Sequence, residues 1–216
     1  MFTARLLVWV AILGLVAGAR ADDQEEGFRP LFSGVDLAGW EGADKDAAAC
    51  WLVDKGDLVC TGKPGPWLRN GEEFGDFELR LEYLLKEGGN SGVYIRVPKN
   101  GDHHVEGAGI EVQVLDDNAA RYKALKPYQY SGSLYAIVPA EPRVSKQPGE
   151  WNTMTIRCEG TKYEIRHNGE AVIKADESTA PELAKRLPKG FLGLQNHSEE
   201  VRFRNIRIKT LETKDK

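Results

Sequence analysis

The sequence predicts an all-β protein in which two antiparallel sheets pack face to face as a β-sandwich. Runs of alternating apolar and polar residues recur along the chain, and this is the period of a half-buried strand. Twenty-three glycines and ten prolines are spread among these runs, and long stretches with the 3.6-residue helical period are scarce. Strands at this spacing, with little helix between them, bury their apolar faces by packing one sheet against another.

The predicted elements are mostly strands, and the clearest is FELRLEYLL, residues 77–85. Its odd positions are apolar or aromatic, whereas Glu78, Arg80 and Glu82 point to water. Only residues 178–187 favour a short helix. The same alternation predicts further strands in residues 91–97, 109–117, 151–160, 161–176, 190–197 and 201–211.

Turn and loop signals divide these strands. Asn168 and Gly169 lie between two alternating runs, and both tolerate the positive φ of a type I′ turn, so they predict a β-hairpin. The connections 98–108 and 116–133 are long and polar or rich in glycine. Loops of that length in a compact domain are often functional.

The first 21 residues have the features of a secretory signal peptide. Arg5 supplies a positive charge before the apolar run 6–16, which is too short to span a bilayer. Ala19 and Ala21 are small residues at the positions that precede a cleavage site. No twin arginine precedes the run, and no cysteine at the cut could accept a lipid. We therefore expect cleavage before Asp22, export to the periplasm or cell exterior as a soluble protein, and one domain over residues 22–216.

Length and charge narrow the class of protein. Removing 21 residues from 216 leaves 195, which is enough for one full core. Because Arg5 and Arg20 lie in the signal peptide, the mature chain keeps 27 of 29 basic residues against 33 acidic ones, a formal net charge of −6. A nucleic-acid partner requires a concentrated basic surface, so this charge argues against one.

Three cysteines, Cys50, Cys60 and Cys158, would lie in a compartment that permits disulfides. Cys50 and Cys60 flank the short turn DKGD and could face each other across a hairpin, which leaves a disulfide between them open. The alternative is that all three are small buried apolar residues. No spacing of cysteine and histidine resembles a zinc site.

Polar residues alternate with apolar ones in three of the predicted strands. Glu111 and Gln113 lie opposite Ile110, Val112 and Val114. If the three strands are neighbours in one sheet, these polar side chains line one concave surface on which Gly193 leaves room for a ligand. That predicted surface comprises Gly92, Tyr94, Arg96, Glu111, Gln113, Gly193, Gln195 and His197.

Such a surface suits a sugar better than an apolar ligand. Sugar hydroxyls need paired donors and acceptors, and the C–H face of the ring needs an aromatic plate. Ordinary packing explains any single aromatic equally well, Arg96 and Glu111 could form a structural ion pair, and His197 could be a non-catalytic histidine. The candidate aromatic plates are Trp67, Tyr94, Tyr128, Tyr130 and Tyr135.

Two further motifs carry weak signals. Glu111, Gln113 and Asp116 have the spacing of the E-x-D-x-x-E signature of lectin-fold glucanases, but the middle acid is replaced by an amide. In a regular strand Glu111 and Asp116 would lie on opposite faces about 16 Å apart, whereas a retaining pair needs about 5 Å. His103, His104 and Glu106 could approach a metal ion only if the chain turns between the histidines.

Nine phrases in order resemble the 3-keto-disaccharide hydrolase family over about 180 residues. The resemblance implies a concanavalin A-like jelly roll, which agrees with the strand count. It also implies cleavage of glycosides whose glucose unit a partner dehydrogenase, a glycoside 3-dehydrogenase, has oxidised at C3. The phrases are PLFSGVDLAGW (30–40), GDFELRLEY (75–83), GGNSGVYIR (88–96), IEVQVLDD (110–117), GSLYAI (132–137), GEWNTMTIRCEG (149–160), NGE (168–170), GFLGLQNH (190–197) and VRFRNIRIK (201–209).

The resemblance implies chemistry that needs only a base, an enolate stabiliser and a proton donor, because a C3 ketone acidifies the C2 proton. Glu111 or His197 would take that proton, and Arg96 would face the enolate oxygen. No cofactor is required, and a structural calcium ion on a loop is compatible with the fold although no D-x-D-x-D-G pattern demands it. Substrate would be bound, or the site braced, by Asn90, Tyr94, Gln113, Asp116, Tyr135 and Gln195.

Three other functions remain open from the sequence. The main one is a non-catalytic carbohydrate-binding module, since lectins use similar polar faces on the same sandwich. A conventional glucanase is disfavoured by the altered acid signature. The chain could also be a scaffold domain of a larger exported oxidoreductase system.

Overall fold

The computed structural model describes residues 26–103, 107–197 and 199–212. The predicted signal peptide and the end of the chain, residues 213–216, lie outside this part. The predicted two-sheet antiparallel β-sandwich is confirmed. The described strands are β1 (Arg29–Pro30), β2 (Trp40–Gly42), β3 (Trp51–Asp54), β4 (Asp57–Cys60), β5 (Leu68–Phe74), β6 (Phe77–Leu85), β7 (Asn90–Val97), β8 (Ile110–Leu115), β9 (Asn152–Glu159), β10 (Lys162–His167), β11 (Glu170–Ala175), β12 (Gly190–Leu194) and β13 (Val201–Thr210).

The strands form one large and one smaller sheet. The large sheet has the order β11-β10-β9-β6-β13-β4-β3, and β1 also pairs with β13. The smaller sheet has the order β2-β5-β12-β7-β8. Each sheet therefore combines strands from both halves of the chain, and in the smaller sheet β12 lies between β5 and β7.

Two hairpin turns contain residues with positive φ, and one of the two was predicted from the sequence. Asn168 and Gly169 connect β10 to β11, with φ of 50° and 87°. Lys55 and Gly56 connect β3 to β4 in the same left-handed region, at 53° and 85°. The predicted helix at 178–187 is only a five-residue 3₁₀ segment, Pro181–Lys185. Other short 3₁₀ segments are Ala47–Ala49, Ala120–Tyr122 and Pro127–Gln129.

The core lies between the two sheets and uses the predicted apolar faces. The odd positions of β6 are buried while its even positions are partly exposed. Ile95 and Val112 of the smaller sheet are fully covered in the same core. Each fully buried side chain of this size contributes about 1.5–3 kcal/mol relative to its exposed state, so the faces that alternate in the sequence carry most of the stabilisation.

The three cysteines of the chain are free and buried, so the structure has no disulfide between Cys50 and Cys60. Cys50 Sγ lies 3.4 Å from the Pro66 carbonyl and Cys60 Sγ lies 3.1 Å from Asn196 Oδ1. Burial raises the pKa of the Cys60 thiol to about 12, which keeps it protonated. No helix in the described part of the chain is both long and apolar enough to cross a membrane.

A buried histidine sits in the core beside a buried tyrosine. His167 is 1% exposed, and its Nε2 lies 2.8 Å from Tyr83 Oη. Burial, aided by the charge of Lys146, lowers the pKa of His167 to about 4. The folded protein therefore holds this ring neutral in a range where an unfolded chain would protonate it.

This histidine predicts acid sensitivity. Because its pKa is depressed on folding, its contribution to stability is present above the unfolded value of 6.5 and is lost as pH falls towards 4. We expect the free energy of unfolding to decline by about 3 kcal/mol across that window from this group. Urea denaturation at pH 7, 5.5 and 4.5 gives the free energy of unfolding of the native protein and of His167→Gln. It should fall more with decreasing pH in the native protein than in the variant; the same pH dependence in both would contradict the assignment.

Candidate active site

Three adjacent strands of the smaller sheet bring four predicted site residues together. Tyr94 of β7 pairs with Glu111 of β8 on one side and with Gly193 of β12 on the other. In the next row, Gly92 pairs with Gln113 and accepts a hydrogen bond from the Gln195 backbone N–H at 2.9 Å. All of these positions face away from the core. We call this surface the Gly92 depression: Gly92, Tyr94, Glu111, Gln113 and Gln195.

Gly92 leaves the space that the Glu111 side chain occupies. A Cβ atom at this position would overlap the Glu111 carboxylate, which therefore lies over the backbone of Gly92. Glu111 and Gln113 are each 4% exposed, so both polar groups are removed from bulk water. Gln113 Nε2 donates to Asn90 Oδ1 at 3.1 Å, which orients the amide at the edge of the depression.

Aromatic rings close one side of the depression. The indole of Trp67 is seated on Gly193 and Gly101, where a Cβ atom would overlap it. Tyr94 meets Trp67 edge-on, with centroids 5.3 Å apart and planes at 70°. The imidazole of His103 lies against the Tyr94 ring at 4.4 Å. The rings of Trp67 and His103 thus hold the Tyr94 ring between them, and the Tyr94 hydroxyl lies near Glu111.

His103 is the partner of Glu111, and sequence reasoning did not place it there. Its Nε2 lies 3.2 Å from Glu111 Oε2, and its Nδ1 lies 2.9 Å from the Gly101 carbonyl. Burial alone would lower the pKa of His103, but the hydrogen bonds to Glu111 and Gly101 outweigh it and the net pKa is raised. The two side chains therefore form a partly buried acid and base pair.

The signals for His103 were the long connection 98–108 that carries it and the weak metal motif of residues 103–106; neither pointed to Glu111. His104 and Glu106, the other residues of the weak metal motif, lie outside the described residues. Within residues 26–103, 107–197 and 199–212, no group of three or more His, Cys, Asp or Glu side chains is placed to hold a metal ion.

The predicted direction of Arg96 is wrong. Arg96 is 2% exposed and lies on the core side, where its guanidinium donates to Asp76 at 2.9 Å and to the carbonyls of Gly75 and Gly160 at 2.8 and 2.6 Å. The cause is a bulge. Between the pairs Gly193–Tyr94 and Phe191–Val97, β7 has one residue more than β12, and Arg96 adopts φ of 51°. The considered ion pair between Arg96 and Glu111 is therefore also wrong.

His197 lies at the surface. Its side chain is 49% exposed, and Nδ1 is 3.7 Å from Glu199 Oε2. Strand β12 ends at Leu194, so strand alternation no longer sets the direction of a side chain three residues later. The structure therefore gives Glu111 a different histidine from the one that the alternation suggested.

Asp116 and Tyr135 brace the edge of the site. The Asp116 carboxylate accepts hydrogen bonds from the backbone N–H of Gly88 and of Asn118, at 2.8 and 3.1 Å. The Tyr135 N–H donates to the Glu111 carbonyl at 2.9 Å, so this segment covers the outer edge of β8. Tyr135 Oη accepts from Gln129 at 3.1 Å, and its ring meets Tyr128 edge-on at 6.2 Å.

Two cavities of about 270 and 360 Å³ lie elsewhere, on the large sheet. Their linings are mostly charged, and key members pair with one another: Arg157 with Glu78 and Glu159, and Arg166 with Glu164. In the Gly92 depression, by contrast, Gln195 Oε1 is buried without a hydrogen-bond partner in the described residues. An unsatisfied buried acceptor is expected where a ligand or water binds, so we favour the smaller sheet as the site.

The fold and this site define a two-sheet sandwich protein with a buried group of polar and aromatic side chains on the outer face of its smaller sheet. The family model of the 3-keto-alpha-glucoside-1,2-lyase-like domain matches residues 27–209. The chain belongs to this family.

Individual relatives agree with that assignment. A 3-keto-disaccharide hydrolase of Bacteroides thetaiotaomicron is 30% identical, over 87% of this chain and 79% of the relative. A solved structure from Parabacteroides distasonis, provisionally named a glycosyl hydrolase, has a TM-score of 0.74 and 28% identity over 85% of this chain and 99% of its own. A second from the same organism has a TM-score of 0.77 at 23% identity, covering 90% and 99%, and supports the fold.

Removing the Arg96 side chain should destabilise the fold. Arg96→Met leaves Asp76 and two carbonyls without their buried donor, and breaking such a pair costs roughly 3–5 kcal/mol. Arg204→Met is the matched control, because the Arg204–Glu82 pair is partly exposed and such pairs contribute about 0–1 kcal/mol. Chemical denaturation measures both free energies of unfolding; equal losses would contradict a special role for the buried Arg96 side chain.

Filling the depression should also be costly. Gly92→Ala forces the buried Glu111 side chain to move, and we expect a loss of roughly 1–3 kcal/mol in the free energy of unfolding. Gly71→Ala, in the same sheet, meets only an ordinary contact at 3.7 Å and should be neutral or slightly stabilising. An equally stable Gly92→Ala protein would mean that the carboxylate does not occupy this space.

Proposed function

We propose that this protein cleaves the glycosidic bond of 3-keto-glucosides or 3-keto-disaccharides by removing the C2 proton, eliminating the leaving group and hydrating the product. The observation that carries the proposal is the buried Glu111 carboxylate, lying over Gly92 and paired with His103. The description of the family and the name of the Bacteroides relative support the same substrate class and a 1,2-elimination.

The C3 ketone determines the chemistry. It makes the adjacent C2 proton acidic, so a carboxylate can remove it while the C–H electron pair forms the C2=C3 bond of an enolate. When the enolate reforms the ketone, the C1–O bond breaks and a C1=C2 double bond forms. Addition of water, with hydroxyl to C1 and a proton to C2, completes a net hydrolysis without an oxocarbenium ion.

Glu111 is the base in this proposal and His103 is its proton partner. Proton transfer by a positioned group typically contributes about 10²–10⁴ in rate. A protonated His103 gives a proton to the leaving oxygen, and the 3.2 Å contact lets Glu111 pass the proton taken from C2 back to the imidazole. His197 is the less suitable base because half of its side chain is exposed and it pairs with Glu199.

The amides around Gly92 bind the sugar hydroxyls in this proposal. Gln113 and Asn90 offer an oriented amide pair on one side, and Gln195 supplies an acceptor on the other. Trp67 provides a half-buried aromatic surface beside them, and Tyr135 bounds the edge at β8. A second carboxylate for ordinary retaining hydrolysis would have to stand about 5 Å from Glu111, and Asp116 is occupied in bracing its turn.

The cellular setting is part of the proposal. The N-terminal sequence supports export to the periplasm or cell exterior after cleavage at residue 21. A dehydrogenase that oxidises glucosides at C3 must supply the substrate. The proton transfers need no cofactor, and a calcium ion on a loop would serve structure only.

Replacing the proposed base should abolish turnover. With 3-keto-trehalose or a 3-keto aryl glucoside, we expect Glu111→Gln to lower kcat by about 10²–10⁴. Glu72→Gln, which changes an exposed glutamate paired with Arg29, is the matched control and should remain active. Release of the aglycone is measured alongside the unoxidised parent sugar.

The same experiment separates the competing function. Cleavage of only the oxidised sugar selects the proposed enzyme. A carbohydrate-binding module would instead bind the unoxidised glycan and release no aglycone from either compound. Near-normal turnover by Glu111→Gln would remove Glu111 as the base.

A further inference from the structure

Tyr94 has a fixed ring and a hydroxyl that faces the site. The residue is 6% exposed, with Trp67 at its edge and His103 against its face. It pairs across the sheet with Glu111, so the phenol and the carboxylate lie on the same face of adjacent strands. A side chain held in this way loses little further entropy when it contacts a ligand.

The hydrogen bonding of Tyr94 leaves its proton available. Gln195 Nε2 donates to Tyr94 Oη at 3.1 Å, so the phenol oxygen is an acceptor in that bond. Burial, followed by the negative charge of Glu111, raises the pKa of Tyr94, although the bond from Gln195 opposes the rise. The phenol therefore remains protonated and can donate.

Gln195 adds an acceptor next to this donor. Its Nε2 is engaged with Tyr94, and its Oε1 is buried with no hydrogen-bond partner in the described residues. Leaving a buried acceptor unsatisfied costs about 1–3 kcal/mol, so the position favours a ligand that brings a donor. One donor beside one acceptor matches a ketone flanked by a hydroxyl.

We propose that Tyr94 is a catalytic residue whose hydroxyl donates to the C3 carbonyl oxygen and stabilises the enolate, while Gln195 Oε1 accepts the hydroxyl beside the ketone. This inference rests on the function proposed above. Tyr94 keeps its proton throughout. The pair from the C2–H bond forms C2=C3 and the carbonyl π pair moves to oxygen; when C1–O breaks, the oxygen pair reforms C3=O, the C2=C3 pair forms C1=C2, and the C1–O pair leaves with the aglycone oxygen. The phenol thus supplies the role that the sequence assigned to Arg96.

The direct test is Tyr94→Phe in the full chain with a 3-keto aryl glucoside. Phenylalanine keeps the ring between Trp67 and His103 but removes the donor. We expect kcat to fall by roughly 100-fold, as for loss of one oxyanion donor, with a small change in KM. Exchange of the C2 proton with deuterated solvent, followed by NMR, should slow to a similar extent because the enolate is destabilised.

Tyr130→Phe is the matched control. The sequence made Tyr130 a candidate aromatic plate, but it is not part of the Gly92 depression: the residue is buried, Arg143 lies over its ring, and its hydroxyl donates to the Tyr122 carbonyl at 3.0 Å. Loss of that structural hydrogen bond should lower the melting temperature slightly and leave kcat and C2 exchange within about threefold of native. A Tyr94→Phe protein with the same small effects would overturn the proposal.

Gln195→Leu provides a second, independent measurement. It removes both the bond to Tyr94 and the free acceptor, and we expect kcat/KM to fall about 10-fold. Because the two side chains act on one ketone, the double variant should lose less than the product of the single losses. If Tyr94→Phe does not fold, unchanged kcat/KM in Gln195→Leu is the result that overturns the proposal.

The outcomes of these experiments distinguish failure of the role of Tyr94 from failure of the proposed function. If the native protein cleaves no 3-keto-glucoside, the proposed function fails and Tyr94 loses its role with it. If native protein and Tyr130→Phe cleave the substrate while Tyr94→Phe does so at a similar rate, only the role of Tyr94 fails. Slow turnover and slow C2 exchange confined to the Tyr94 and Gln195 variants support both.

Discussion

The buried guanidinium of Arg96 is the constraint on which the arrangement of the site depends. It belongs to the smaller sheet. It binds Asp76 and the Gly75 carbonyl, in the connection from β5 to β6, and the Gly160 carbonyl, in the turn between β9 and β10 of the large sheet. These bonds join the two sheets at one end and hold the bulge in β7. The bulge ends the regular alternation immediately after Ile95, so Tyr94 remains on the outer face while Arg96 becomes part of the core. The chain thus uses the Arg96 guanidinium for structure and leaves the neutral phenol of Tyr94 at the depression.

Glycine creates the space that those donors need. Gly92 admits the Glu111 carboxylate, and Gly193 and Gly101 admit the indole of Trp67. The polar side chains then satisfy one another in part: Gln113 with Asn90, and Gln195 with Tyr94. In a low-dielectric depression such bonds hold groups at fixed positions, and each group left unsatisfied is expensive. Among the described residues Gln195 Oε1 has no partner, and in the proposed function this acceptor and the Tyr94 proton select the ligand.

Much of the fold and part of the site could be predicted from alternation. The period of residues 77–85 and 110–115 correctly assigns the core and outer faces, and it brings Glu111, Gln113 and Tyr94 together once β7 and β8 are neighbours. The same rule failed for Arg96, because one extra residue reverses parity and has no local signature. It failed for His197, because β12 had already ended. Alternation could not predict the position of His103, because a loop has no period. Tertiary contacts alone place its imidazole beside Glu111. The strands from 40 to 74 were not predicted as strands either: β2, β3 and β4 have three or four residues each, too few to show a period, and the seven residues of β5, LRNGEEF, do not alternate.

The charge balance of the proposed reaction explains why a neutral donor suffices. Before proton transfer the negative charge is on Glu111, with a protonated His103 beside it; afterwards the carboxyl is neutral and the charge is on the substrate oxygen. In this step one negative charge therefore moves a short distance, from Glu111 to the substrate. The site does not have to stabilise the positive charge of an oxocarbenium ion. A phenol whose pKa is raised keeps its proton while the enolate forms, and its hydrogen bond strengthens as charge reaches the oxygen. Stabilisation that grows along the reaction in this way lowers the barrier more than it tightens substrate binding.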